Sequence, residues 1–74
     1  MNMSYQDYVI LVDQTFHTFN WRYGQTIMNV LYSVSPNKYT ELVGGEYDCY
    51  YEDSKALNTL KFLNEHWTNN ESSR

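Results

Sequence analysis

The sequence predicts an all-α fold, a small bundle of three to four short helices, and three observations carry that prediction. Apolar residues recur at steps of three and four in three separate stretches, the period of a helix with one buried face. Capping and breaking residues stand where such helices should start and stop. The single tyrosine-rich run that suits a strand, 47–51, has no second alternating run to pair with, so a strand there would need an intermolecular partner.

The first helix is read over 4–19. Tyr5, Tyr8, Val9, Val12, Phe16 and Phe19 form its apolar stripe, with Asp7, Asp13 and Gln14 opposite. Ser4 followed three residues later by Asp7 is a capping-box-like start, and Asp7 also suits the positive end of the helix dipole. Asn20 marks a tight corner. A second helix is expected within 21–34, with Trp21, Ile27, Met28, Leu31 and Val34 on one face. Gly24 costs about 1 kcal/mol against Ala in a helix interior, so the helix either begins near Gly24 or keeps the glycine for close packing.

Ser35 before Pro36 predicts a new helix over 36–43, with Ser35 as N-cap and proline at its first position. Tyr39, Leu42 and Val43 are expected to face inward, and Gly44-Gly45 to end the helix with a left-handed residue. Asp53 or Ser54 should cap a last helix running to about Trp67, with Ala56, Leu57, Leu60, Leu63 and Trp67 as its stripe and Lys55 and Lys61 outside it. Residues 1–67 are thus read as a single domain, and the remaining 68–74, TNNESSR, lack apolar residues and are expected to be a disordered tail.

Size and composition bound the function. At 74 residues the chain lies near the lower limit for a self-sufficient core, and one cysteine excludes an intramolecular disulfide or a thiolate zinc cage. Two Trp, eight Tyr and three Phe supply the core material instead, at roughly 150–250 Å² each. Five Lys and Arg against nine acids give a net charge of −4, which argues against nucleic acid as a partner. The apolar run 9–12 is far too short for a signal core or a membrane span, so the expectation is a cytoplasmic protein with no membrane partner.

No catalytic, metal or cofactor site emerges from the spacing. His17 and His66 lack a second His or Cys three or four positions away, and the acids beside Cys49 raise a thiol's pKa. The segment 46–53, EYDCYYED, holds four acids and three tyrosines with no base. Tyr47, Asp48, Tyr50, Tyr51 and Glu52 are therefore candidates for a protein-binding epitope in which tyrosines anchor and acids steer a basic partner. The competing reading packs those tyrosines on the bundle with wet hydroxyls. Trp21, Arg22, Tyr23 and Gln25 place a cation among aromatics and are candidates for a small nucleotide site, against the alternative of a core Trp21 and a surface ion pair at Arg22.

Trp21-Arg22-Tyr23-Gly24-Gln25-Thr26, Asn29, Leu31-Tyr32, Pro36, Asp48-Cys49-Tyr50-Tyr51 and His66-Trp67 together resemble short uncharacterised proteins of tailed bacteriophages, notably those infecting cyanobacteria. The resemblance spans most of residues 5–67. It implies a setting, the infected bacterial cell, and brings no functional residue with it. The leading expectation is a non-enzymatic accessory protein that binds and modulates a host protein; the alternative is a nucleotide-sequestering protein that counters host defence. Excess aromatic surface further predicts a homodimer through the first or last helix, leaving 46–53 free.

Overall fold

Ser4 opens the first helix as its position requires: its hydroxyl accepts the Asp7 N–H at 3.0 Å, in the computed structural model that describes residues 3–67. The expected disordered tail, 68–74, lies outside the described residues. Helix α1 runs Tyr5–Thr18, α2 Tyr23–Val34, α3 Pro36–Leu42 and α4 Ala56–His66, with a 3₁₀ turn at Asp53–Lys55 leading into α4. No strand forms among the described residues, and 47–51 is an irregular loop containing one turn residue and two bends.

Helix α2 is the axis of the bundle, and α1, α3, α4 and the 3₁₀ turn all pack on it. Its buried residues, Gly24, Thr26, Ile27, Met28, Val30 and Leu31, cover more of its circumference than the five-residue stripe read from the sequence. Tyr8 and Val12 come from α1, Leu42 from α3, Ala56 and Leu63 from α4, and Cys49 from the turns between. Each large apolar side chain so buried stabilises the fold by roughly 1.5–3 kcal/mol. Tyr8 is fully enclosed and donates its hydroxyl to the Ile27 carbonyl at 2.9 Å, which removes the penalty of burying that polar tip.

The two ends of the described chain are clasped at Trp67. Its ring stacks on Tyr8 at 5.0 Å and meets Tyr5 edge-on at 6.0 Å, while its indole N–H donates to the Met3 carbonyl at 2.6 Å. Lys38 of α3 lies against the same ring, 5.6 Å from its centroid, and donates to the His66 carbonyl at 3.2 Å. A lysine on α3 thus neutralises part of the negative end of α4.

Several expectations fail here, each for a local reason. Val43 is 44 % exposed, because it leaves α3 in an extended conformation before Gly44 turns the chain at φ 80°. Gly44 alone supplies the left-handed residue expected of the Gly pair. Leu57 is 78 % exposed: entry through the 3₁₀ turn rotates α4 so that Ala56, Thr59 and Leu63 face the core instead. Phe16 and Phe19 leave the core and find ring partners in Tyr23, edge-on at 5.3 Å, and Trp21, stacked at 4.7 Å. Ser35 holds the N-cap position of α3, but its side chain makes no capping bond. Neither Asp53 nor Ser54 caps α4, since Asp53 is turned toward α2.

Candidate functional site

The segment 46–53 folds as a stapled loop rather than an acidic flap. Asp48 organises it: one carboxylate oxygen accepts the Gly44 N–H at 2.7 Å and the other accepts the Tyr50 N–H at 3.0 Å. An aspartate two residues before the amide it binds is a side-chain mimic of a backbone turn. The Thr59 hydroxyl of α4 donates to the Tyr47 carbonyl at 2.7 Å, and the Glu52 N–H donates to the Cys49 carbonyl at 3.2 Å.

Cys49 plugs this loop into the bundle. It is fully buried, its thiol directed at the Gly24 carbonyl 3.5 Å away. Burial pushes the thiol pKa up, the neighbouring Thr59 hydroxyl works against that, and the charges of Asp48 and Asp53 add to the rise. A neutral, enclosed thiol is a packing group. The imidazoles are engaged elsewhere, His17 with the Asp13 carbonyl at 2.8 Å and His66 against the Phe62 ring at 4.3 Å.

Asp53 joins the two sequence candidates into one structure. Its carboxylate accepts the Gly24 N–H at 2.9 Å, capping the first turn of α2, and sits 3.4 Å from the Arg22 guanidinium. A second link runs from the Gln25 amide to the Tyr50 hydroxyl at 3.3 Å. Gly24 allows this contact, because a Cβ there would overlap the Cys49 carbonyl oxygen and come within 2.9 Å of the Asp53 carboxylate. Both sequence readings of Gly24 therefore hold, since the helix starts one residue before it and the glycine permits close approach.

The five candidate epitope residues differ in exposure and in contacts. Tyr47 is half-buried and stacked on Phe62 at 4.4 Å, Asp48 is spent on backbone amides, and Tyr50 is half-buried against Gln25. Tyr51 is 83 % exposed, standing edge-on to Tyr50 at 4.8 Å, and Glu52 beside it pairs with Lys55 at 3.1 Å. The nucleotide candidates are brought to one corner, but the anion seat at the α2 N-terminus is filled by Asp53. Trp21 stacks on Phe19, Tyr23 meets Phe16 edge-on, and Arg22 faces Asp53. An anionic ligand would have to displace that carboxylate. No group of three or more His, Cys, Asp or Glu residues fit to hold a metal occurs among the described residues.

Sequence reasoning missed a hollow of about 220 Å³ between α1 and α2. Leu11 and Val30 give it an apolar lining, the stacked Phe19 and Trp21 form part of its wall, and Thr15, Asn29 and Ser33 complete it. The available signal was Phe19 and Trp21 on either side of the Asn20 corner; Leu11 and Val30 fall off both helical stripes. No helix among the described residues is long and apolar enough to cross a membrane. Comparison of the chain with protein-family models, with curated proteins and with solved structures yields no match.

Proposed function

We propose that this protein is a non-enzymatic binding protein that docks on a larger protein through the loop carrying Tyr51. The observation that supports it is a large aromatic side chain, 83 % exposed, projected from a backbone pinned on both sides. The Tyr50 amide is tied to Asp48 before it and the Glu52 amide to Cys49 after it. Tyrosine is enriched at interface cores, and a loop ordered in advance loses less conformational entropy on binding. The net charge of −4 favours a basic target surface. The resemblance to short tailed-phage proteins supports a host protein as the target, which this chain would occlude or modulate.

The test is capture from bacterial host lysate on immobilised protein, followed by affinity measurement on the protein recovered. Tyr51→Ser removes only an exposed ring and its edge contact with Tyr50, leaves the buried core untouched, and should weaken binding about 30-fold, the loss expected of an anchor worth roughly 2 kcal/mol. Capture that is equal with wild type and Tyr51→Ser would refute this surface. Thermal-shift measurement against nucleotides tests the sequestration alternative, for which a ligand at about a hundred times its Kd stabilises a fold by about 2.7 kcal/mol.

A further inference from the structure

A second hollow, about 370 Å³ in volume, lies between the start of the loop 46–53 and helix α4. Asn58, Lys61, Phe62 and Glu65 line it from α4, at the three- and four-residue steps of one helix face, and Glu46 and Tyr47 line it from the loop. Its aromatic part is fixed in place. Tyr47 and Phe62 stack at 4.4 Å, 19° from parallel, and the Thr59 hydroxyl holds the Tyr47 carbonyl at 2.7 Å.

Its charges are open. Among the described residues, Glu46, Lys61 and Glu65 take part in no ion pair, whereas Asp13, Asp53 and Glu52 each face a His, Arg or Lys, and Asp48 holds two backbone amides. Lys61 precedes Glu65 by one helical turn, the order of charges that gains less than its reverse because it opposes the helix dipole. That order accounts for two neighbours of opposite sign staying apart.

Two carboxylates and one ammonium around a ring surface complement two cations and one anion on an apolar stem. A free basic amino acid carries that set, its α-ammonium, side-chain cation and carboxylate joined by methylenes. Arginine adds a planar guanidinium, which pairs with a carboxylate through two parallel N–H donors and stacks on aromatic rings. An arginine inside a protein chain has lost both α-charges and would set its cation beside Lys61 with no anion between them. Small-ligand pockets begin at roughly 300 Å³, so the hollow has the room.

We propose that this hollow binds a free basic amino acid, arginine above lysine, with Glu46 and Glu65 on its two cations, Lys61 on its carboxylate, and Tyr47 and Phe62 against its stem. The site stands independently of docking through Tyr51.

Titration of the isotope-labelled full chain with L-arginine, read by the amide chemical shifts of 46–47 and 58–65, tests it. Binding should saturate with a Kd of about 1 mM. Citrulline lacks the side-chain cation and agmatine lacks the carboxylate, so each should bind about fivefold more weakly, the upper range for one exposed charge pair. Glu46→Gln and Glu65→Gln should weaken arginine by the same factor. Lys61→Met should weaken arginine but not agmatine, a split that loss of structure would not produce. All three positions are exposed, and circular dichroism checks that the helices remain. Shifts that do not saturate by about 20 mM L-arginine overturn the proposal. Equal binding of N-acetyl-arginine amide also overturns it, because the hollow would then suit an arginine of another protein. So does binding that none of the three substitutions changes, which would place the ligand elsewhere.

Discussion

Gly24→Ala sets helix propensity against tertiary contact, and the structure decides the sign. In an isolated helix the change gains up to about 1 kcal/mol, because glycine loses more backbone freedom on folding. In this protein the new methyl would overlap the Cys49 carbonyl oxygen, with the carbonyl carbon at 3.1 Å and the Asp53 carboxylate at 2.9 Å. Two of those three atoms are backbone, so the loop 48–53 must retreat from α2. Overpacking of this kind costs about 1–3 kcal/mol. Retreat also lengthens the 2.9 Å bond from the Gly24 N–H to Asp53, a helix cap worth about 0.5–2 kcal/mol. Set against the propensity gain, the net is a destabilisation of about 2–3 kcal/mol. At about 4–8 °C per kcal/mol for a domain of this size, the melting temperature should fall by roughly 10–20 °C. Urea denaturation followed by circular dichroism gives the free energy, and Asp53→Asn run in parallel isolates the charge part of the cap. If Gly24→Ala proves neutral or stabilising, the close approach of the loop to α2 is wrong and Asp53 does not hold the two together.

Two further outcomes follow from the same packing. Burial raises the pKa of Cys49 above its ordinary 9.0 and that of Tyr8 well above its ordinary 10.0, so the unfolded chain releases both protons first. Stability from these groups is complete below pH 9 and falls as pH rises, first through Cys49 and then, above pH 10, through Tyr8. Denaturation midpoints at pH 8 and pH 10.5 should show the drop, with a smaller drop in Tyr8→Phe; a midpoint flat across that range contradicts the burial of both groups. Trp67→Ala removes the stack on Tyr8, the bond to Met3 and the ring beneath Lys38, and should cost about 3 kcal/mol, the low end for a large aromatic because Trp67 is only half-buried. Trp67→Phe should recover most of that loss in the same urea titration, since it keeps the ring contact and forfeits only the hydrogen bond.

The sequence by itself determined the helices and most of their ends. Ser4 with Asp7, Pro36 after Ser35, Gly44, and the three- and four-residue steps of Tyr8, Val12, Ile27, Leu31 and Leu63 all act over a single turn of backbone, so their consequences can be read without knowing the fold. Only the tertiary structure decided what the polar and aromatic extras do. Asp53 looks like the cap of the helix that follows it, yet it caps one that begins about thirty residues earlier, because the 3₁₀ turn carries it to Gly24 across a separation of 29 positions. The tyrosines of 46–53 are nearly equivalent in sequence. Phe62 and Gln25, from two different helices, cover Tyr47 and Tyr50 and leave Tyr51 in solvent. The neutral hollow needed Leu11 and Val30 brought together from adjacent helices at positions off either stripe. Local periodicity fixes which face of a helix is apolar, while the crossing of helices fixes which apolar residues are covered, and that crossing depends on side chains far apart in the chain.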